Sequence, residues 1–431
     1  MSPALGERAG AGALTPGPRG MALLGPALVA GVAYVDPGNV ASNMTAGARY
    51  GYLLVWVVIA ANLVAWLVQY LSAKLGVVTG RSLPEILGQR LTHRAARRAY
   101  WLQAELVAMA TDLAEVVGGA IALQLLFGIP LLLGGVITGI VSMALLVVQG
   151  RRGARPFEFV VIGLLLIVAF GFLAGLLVAP PDPAAAAAGL LPRFADAGSV
   201  LMAASILGAT VMPHAIYAHS ALTRDRFGAA SGSADATTAP TGAPASGGVA
   251  RLLRATRWDV SLAMVIAGAV NLGMLLLAAA TLPGVAGTDT LEGAHAALTA
   301  QLGPLIGTLF AVGLLASGLA STAVGAYAGA EIMHGLLRVR VPMMLRRLVT
   351  LIPALLILGL GVDPTLALVL SQVALSFGIP FALIPLVALT SQRRTLGAHA
   401  NRRITTVLGI LAAVLLVGLN LALIALLVTG S

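Results

Sequence analysis

Long apolar runs alternate with short polar segments along almost the whole chain. At about 20 apolar residues for each membrane crossing, the pattern predicts eleven membrane-spanning helices, at 22–48, 52–76, 99–127, 131–149, 157–180, 199–222, 258–283, 304–335, 346–361, 365–390 and 404–428. Residues 1–21 are rich in Gly, Ala and Pro and lack the hydrophobic core of a signal peptide, so they are predicted to be a disordered tail. The pattern therefore predicts an all-α polytopic membrane protein.

Two of the predicted spans are interrupted by polar residues and a proline. The first interruption is Asp36-Pro37-Gly38-Asn39 and the second is Met212-Pro213-His214. Non-helical backbone at bilayer depth is tolerated only where it is buried in protein or lines a wet cavity. Each interruption lies in the first span of a block of five, and because five is odd the second block must be inverted relative to the first. This arrangement is typical of secondary transporters, in which discontinuous first and sixth helices form the substrate site.

The same counting divides the chain into segments. We expect a transporter core at 22–390, built from inverted five-helix repeats at 22–180 and 199–390, and an eleventh helix at 404–428. Between spans six and seven, 223–257 is expected to be a flexible cytoplasmic loop, because it contains a stretch rich in Ser, Gly, Ala, Thr and Pro.

Composition and charge support this interpretation and set the orientation. The chain is 59% hydrophobic and only 10% charged, with a mean hydropathy of +0.97. Its formal net charge is +10, and with eleven spans all 26 Lys and Arg residues except Arg49 and Arg193 fall on one side. This bias predicts a cytoplasmic N-terminus and an external C-terminus, and explains the charge without a nucleic-acid partner. The chain has no cysteine and no nucleotide-binding or zinc-protease motif, so we expect neither an enzyme nor an ATP-driven pump.

The residues at the interruptions favour a metal site. Asp36 suits both an N-cap for a helix that restarts at Pro37 and an anionic metal ligand. Asn39 offers an amide oxygen, and Met212 offers a thioether, although a membrane methionine alone is usually a packing residue. Magnesium and calcium prefer oxygen ligands only, whereas sulfur beside oxygen favours first-row transition metals. The unwound segments should add the carbonyls of Ala33 and Ala209; Gln372 fits a site contact and a helix-packing hydrogen bond equally well.

A second polar group lies in span three. Glu105, Asp112 and Glu115 fall on roughly one helix face, where three carboxylates are too costly to face lipid. One interpretation is structural pairing with Arg346 and Arg347. The other is a proton path that includes His214, since clustered carboxylates and a histidine can titrate at accessible pH. His219, Asn62, Gln69 and Asn271 are interpreted as structural.

In combination, these residues resemble the natural resistance-associated macrophage protein (Nramp) family of metal transporters, in its bacterial MntH-type form. The resemblance covers nearly all of 25–390 and includes Ala-Thr-Asp-Leu-Ala-Glu at 110–115 and two longer segments at 316–322 and 371–381. It implies a LeuT-like fold and proton-coupled import of Mn²⁺ and Fe²⁺, with Cd²⁺ and Co²⁺ as further cargo, by alternating access across a bacterial inner membrane. It implies no permanently bound cofactor and no obligate protein partner.

The resemblance also implies roles for individual residues. The metal set comprises Asp36, Asn39, Met212, Ala33, Ala209 and Gln372. The proton route comprises Asp36, His214, Glu115, Asp112, Glu105, Arg346 and Arg347. Leu319 and His334 depart from the common family pattern, so no role is carried over to that part of span eight.

Two rival functions share the membrane architecture. One is a passive divalent-metal channel, and the other is a cation-coupled amino-acid symporter of the same fold. The Met-Pro-His interruption disfavours the symporter, because an amino-acid carboxylate needs small residues and free amide donors. A metal-sensing receptor would need a cytoplasmic output domain, and none is seen in the sequence.

Overall fold

A computed structural model describes residues 26–152, 154–227, 246–339 and 341–429. The predicted tail at 1–21 and the central part of the predicted loop at 223–257 lie outside the described residues. The described residues form seventeen α-helices and three short 3₁₀ turns: α1 (Pro26–Val32), α2 (Pro37–Tyr50), α3 (Val55–Thr79), α4 (Leu83–Arg90), α5 (Arg94–Phe127), α6 (Leu131–Arg152), α7 (Ala154–Val178), α8 (Pro183–Ala188), α9 (Ala197–Thr210), α10 (Pro213–Phe227), α11 (Ser246–Thr281), α12 (Leu291–Leu302), α13 (Pro304–Leu337), α14 (Met343–Gly359), α15 (Pro364–Ser391), α16 (Arg393–Leu396) and α17 (Arg403–Thr429), with turns at Ala33–Val35, Gly51–Leu54 and Gly397–His399.

The helical segments follow the predicted spans. Spans one and six are each split into two helices, α1 with α2 and α9 with α10; the remaining spans correspond to α3, α5, α6, α7, α11, α13, α14, α15 and α17. Among the described residues, seven helical runs are long and apolar enough to cross a membrane, and three shorter apolar helices accompany them. The protein is therefore a multi-pass membrane protein.

One glycine divides a run that is too long for a single crossing. The run Pro37–Thr79 has 43 residues, about 65 Å of helix at 1.5 Å per residue, against a hydrocarbon core of about 30 Å. Gly51 has φ +55°, a conformation that glycine adopts without steric cost. The chain turns there, so α2 and α3 form two spans.

The structure corrects the ends of the loop predicted at 223–257. Helix α10 continues to Phe227, and α11 already begins at Ser246. Phe227 is buried against Val77 of α3, and Leu252 and Leu253 of α11 pack on the same cluster. These few apolar contacts hold the helix ends in place on either side of the stretch rich in Ser, Gly, Ala, Thr and Pro from which the loop was predicted.

An ion cluster joins the C-terminal end of the second broken span to two other helices. Arg224 of α10 contacts Glu85 of α4 at 2.9 Å and Glu331 of α13 at 3.0 Å. Helix α4 begins with a capping box between Ser82 and Glu85. Burial raises the pKa of Glu85, but the Ser82 N–H and Arg224 outweigh it, so the pKa lies below its ordinary value. The Glu85 carboxylate is therefore negatively charged at neutral pH beside Arg224.

Small residues allow α3 and α10 to pack closely. A Cβ atom at Gly76 would overlap the Ser220 carbonyl oxygen and the Thr223 hydroxyl. Ser72, one turn earlier, donates a 2.6 Å hydrogen bond to the carbonyl of Ile216. The broken helix is thus fixed against α3 by backbone contact.

We predict that Gly76→Ala lowers the free energy of unfolding by about 1–3 kcal/mol, because the added methyl must separate two helices in contact. Gly163→Ala is the matched control, since a Cβ atom there meets no neighbouring atom. Thermal or denaturant unfolding of the purified protein in detergent measures both variants. Equal stability of the two would contradict the close packing at Gly76.

Candidate functional site

The first break, residues 33–36, separates α1 from α2. Ala33–Val35 form a 3₁₀ turn, and Asp36 is extended (φ −75°, ψ 168°) before the helix restarts at Pro37. The Tyr34 carbonyl accepts a hydrogen bond from Asn271 of α11 (2.8 Å), and the Val35 carbonyl accepts one from Ser317 of α13 (2.5 Å). Side chains of neighbouring helices thus satisfy carbonyls that the interrupted helix leaves free.

The second break, residues 211–212, separates α9 from α10. Helix α9 ends at Thr210, and Pro213 is the first residue of α10. Met212 and His214 are both buried. The predicted thioether ligand therefore lies in non-helical backbone, enclosed by protein.

Asn39 connects the two breaks. Its side-chain nitrogen donates to Asp36 Oδ1 (2.8 Å) and to the Ala209 carbonyl (2.9 Å). Thr210 donates to its Oδ1 at 3.5 Å. The amide NH₂ thus lies between Asp36 Oδ1 of the first broken span and the Ala209 carbonyl of the second. Both oxygens were predicted from the sequence to bind a metal. Rotating the amide by 180° would direct its own oxygen to the same place.

Gln372 of α15 lies against both broken spans. A Cβ atom at Gly38 would overlap its side chain, and one at Gly208 would overlap its backbone carbonyl. Its Nε2 donates to Ser371 Oγ at 3.1 Å. Glycine at 38 and 208 is therefore what allows α15 to approach the breaks. Gln372 therefore lies beside both broken spans, and its contact with a metal stays a prediction.

The site presents unpaired acceptors. Asp36 Oδ2 and Gln372 Oε1 are buried and have no hydrogen-bond partner within the described residues. Buried oxygens without a donor are costly, and a cation is the kind of ligand that such oxygens bind. Among all residues that the structure describes, no group of three or more His, Cys, Asp or Glu side chains could bind a metal. A cation here would have one ionic ligand, Asp36, with amide, carbonyl and thioether groups completing the set.

The site is closed on one side. Ser42 of α2 and Ser205 of α9 lie 2.6 Å apart through their hydroxyls, and Ser205 also donates to the Val369 carbonyl of α15 (3.3 Å). Both serines are buried. They lie one turn from Asn39 and Ala209, on the side of the predicted external face.

The predicted ion cluster is present along α5. Arg346 pairs with Glu105 (3.0 Å) and lies 3.9 Å from Asp112. Arg347 pairs with Asp112 (2.6 Å) and with Glu115 (3.2 Å). Three carboxylates thus share two arginines, so the cluster has one more acidic group than basic groups.

Structural support surrounds the cluster. Arg347 also donates to Ser142 of α6 (3.1 Å) and to Thr322 of α13 (3.3 Å). A Cβ atom at Gly329 of α13 would overlap the guanidinium of Arg346. The two hydroxyls thus accept hydrogen bonds from Arg347, and Gly329 leaves space for the guanidinium of Arg346.

One contact from each broken span connects it to α5, the helix that carries the three carboxylates. Pro37 packs where a Cβ atom at Gly118 of α5 would lie. His214 Nδ1 lies 3.1 Å from the Thr111 hydroxyl of α5, one residue before Asp112. The break residues and the carboxylates therefore belong to one continuous packed region.

Sequence analysis missed several residues of the site. Ser42, Ser205, Thr210 and Ser317 were not singled out. Asn271 has the structural role predicted for it, as a hydrogen-bond donor to the Tyr34 carbonyl at the first break. Each missed residue is a small polar residue in an apolar helix, and that is the only signal in the sequence. Which way it faces depends on the rotation of its helix, which only the packed structure fixes.

Comparison with known proteins gives a consistent assignment. The model of the family "Natural resistance-associated macrophage protein-like" matches residues 27–426. The divalent metal cation transporter MntH of Mycobacterium tuberculosis is 59% identical over 408 residues, covering 95% of this chain and 92% of that protein. The solved manganese transporter of Eremococcus coleocola has a TM-score of 0.80 at 33% identity, covering 94% of this chain and 86% of that one.

A more distant structure identifies the wider fold. MhsT, solved with L-phenylalanine, has a TM-score of 0.60 at 14% identity, covering 94% of this chain and 98% of its own. At this identity the likeness concerns the fold alone, and it confirms the predicted all-α, LeuT-like architecture. The chain belongs to the natural resistance-associated macrophage protein (Nramp) family.

Proposed function

We propose that the protein is a secondary transporter that imports divalent transition metals, Mn²⁺ and Fe²⁺ foremost and Cd²⁺ and Co²⁺ in addition, across a bacterial inner membrane. The observation that carries the proposal is the meeting of Asp36, Asn39 and the Ala209 carbonyl between the two broken spans. The similarity to a divalent metal cation transporter and to a manganese transporter supports it. The metal is the transported substrate, and no resident cofactor is needed.

In the proposed mechanism, Asp36 binds the cation and the amide of Asn39 rotates to add its oxygen. Gln372 Oε1 and the carbonyls of Ala33 and Ala209 supply neutral oxygens, and Met212 supplies sulfur. A neutral oxygen costs less to desolvate than a second carboxylate would. With one anionic ligand, the divalent ion also keeps a net positive charge in the site, which promotes its release.

Access to the site alternates in the proposed cycle. The contact between Ser42 and Ser205 closes the external side, so α2 and α9 must separate before a metal can enter from outside. A passive channel would need an open path on both sides at once, and this closed contact favours a transporter over that alternative. The cation-coupled amino-acid symporter is disfavoured because a carboxylate substrate would face Asp36.

Proton coupling is assigned to α5 and its partners. Metal binding at Asp36 expels its proton, and the surplus carboxylate among Glu105, Asp112 and Glu115 offers the next acceptor. His214 lies beside Thr111 on the same helix. We propose that Asp36, His214, Glu115, Asp112 and Glu105 carry the proton toward the cytoplasm, while Arg346 and Arg347 hold the carboxylates in place through their ion pairs.

We expect Asp36→Asn to reduce Mn²⁺ uptake into proteoliposomes to the level of empty vesicles, because the substitution removes the only anionic ligand but keeps the helix cap. Asp182→Asn is the control, since this exposed aspartate caps α8 far from the breaks. Wild-type uptake by Asp36→Asn would reject the proposed metal site.

We expect Met212→Ala to retain part of the Mn²⁺ uptake and to gain uptake of Ca²⁺ or Mg²⁺. The reason is that sulfur is a poor ligand for these hard ions, so its removal lifts a barrier against them. Metal-uptake competition in proteoliposomes measures the change, with Met202→Ala on α9 as the control methionine. An unchanged order of metal preference would reject Met212 as the selectivity residue.

We expect Glu115→Gln to uncouple transport from protons: Mn²⁺ uptake persists, but the accompanying acidification and its dependence on an imposed pH gradient fall by at least about tenfold. Replacement of the carboxylate by an amide keeps the shape and removes the proton-binding group. Glu292→Gln on α12 is the control. Full proton flux in Glu115→Gln would leave the carboxylate cluster with a structural role only.

A further inference from the structure

An apolar groove runs between α15 and α17, away from the candidate metal site. Its volume is about 570 Å³, and its walls include Ile384, Val387, Gly409, Ala413, Gly418 and Leu421. Along α17 the groove extends from Thr406 to Leu421, a length of about 22 Å at 1.5 Å per residue. One leaflet of the hydrocarbon core is about 15 Å thick. The groove is long enough to take an acyl chain of one leaflet.

One end of the groove is polar and basic. Ser391, the last residue of α15, and Thr406, in the first turn of α17, both line it. The segment that joins the two helices carries four arginines, which are exposed: Arg393, Arg394, Arg402 and Arg403. Within the part of the chain that the structure describes, Arg402 and Arg403 form no salt bridge. Their charge is available to a ligand.

A second groove on the other side of α17 provides an internal comparison. It lies between α3 and α17, has a volume of about 700 Å³, and is lined by apolar residues such as Leu63, Leu67, Leu408 and Leu415. No hydroxyl lines it. Both grooves fit hydrocarbon, but only the groove beside α15 combines hydrocarbon walls with hydroxyls and free arginines at one end.

We propose that an anionic phospholipid of the cytoplasmic leaflet binds in the groove between α15 and α17. One acyl chain occupies the groove, and the phosphate lies at Arg402 and Arg403, within reach of the Ser391 and Thr406 hydroxyls. Basic residues at the cytoplasmic end of a groove between membrane helices are suited to anionic head groups. Arginine also matches phosphate geometry with two parallel hydrogen bonds.

A lipid in this groove would brace α17 against a functional helix. Deeper in the membrane, Asn420 of α17 and Ser376 of α15 exchange two hydrogen bonds, of 2.8 and 2.9 Å. Ser376 lies one turn after Gln372, which contacts both broken spans. The lipid therefore adds a second attachment between α17 and α15, and we expect it to raise the thermal stability of the protein.

Native mass spectrometry of the full-length protein in detergent tests the head-group part of the proposal. Phosphatidylglycerol and phosphatidylcholine with identical acyl chains are added in equal amounts. We expect wild type to retain phosphatidylglycerol preferentially, and Arg402→Gln with Arg403→Gln to lower that preference about fivefold for each arginine, about 25-fold for the pair. Arg94→Gln with Arg98→Gln removes the same charge from the exposed start of α5 and should leave the preference unchanged.

A plug variant tests the groove itself. Gly418 lines the groove, and a Cβ atom there meets no neighbouring atom, so Gly418→Leu adds bulk to the groove wall without an overlap at Cβ. Gly163→Leu on α7 is the matched control, as a glycine with equally open surroundings. We expect Gly418→Leu to lose the retained phosphatidylglycerol and its thermal stabilisation, and Gly163→Leu to keep both.

Equal retention of the two lipids by wild type, or an undiminished preference in the Arg402, Arg403 double variant, would overturn the head-group assignment. Wild-type retention by Gly418→Leu would overturn the assignment to this groove. Both tests measure lipid binding rather than metal transport, so they are independent of the proposed function.

Discussion

The hydrogen bonds that the Asn39 amide makes to Asp36 and to the Ala209 carbonyl are the interaction on which the site depends. Interrupting two helices inside a membrane leaves backbone N–H and C=O groups without helical hydrogen bonds, where water cannot reach them. Such breaks persist only where other protein groups form the missing hydrogen bonds. Here Asn271 and Ser317 bind carbonyls of the first break, and Asn39 binds a carbonyl at the end of α9. The groups that make the breaks stable also define a polar pocket.

Charge is arranged in two connected regions. Asp36 lies at the break, and the three α5 carboxylates with two arginines lie beside it, joined through Pro37 against Gly118 and His214 against Thr111. Removing one member of a buried ion cluster leaves an uncompensated charge, which is why such clusters are strongly interdependent. The ion pairs confirm that the α5 carboxylates pair with Arg346 and Arg347, and the proton path stays a prediction.

The features that sequence analysis predicted well are those encoded locally. Apolar runs mark the spans, and Asp-Pro or Met-Pro within a run marks a break, because proline lacks the N–H of a helix interior and suits the first position of a helix that restarts. Proline alone is not sufficient, since Pro353 lies inside α14 and Pro380 and Pro385 lie inside α15. The pairing of Arg346 and Arg347 with the α5 carboxylates followed from the cost of unpaired charge in a membrane. Helix α4 was missed although Ser82 and Glu85 form a capping-box pattern that is legible in the sequence.

Other features depend on how helices rotate and approach one another. The contact of Ser42 with Ser205 and the bridge from Glu85 through Arg224 to Glu331 join helices that are distant in the chain. The helical ends of the predicted loop at 223–257 depend likewise on Phe227 packing against Val77. No local pattern encodes these contacts, since each polar residue has several possible neighbours until the bundle is assembled.

X-ray absorption spectroscopy of the cadmium-loaded protein tests most directly whether an oxygen and a sulfur from two interrupted helices bind one ion. The chain has no cysteine, so any sulfur bound to the metal must come from methionine. The account predicts one sulfur neighbour among oxygen ligands, lost in Met212→Leu while the metal stays bound through Asp36. A shell of oxygen and nitrogen alone in the unmodified protein would contradict it.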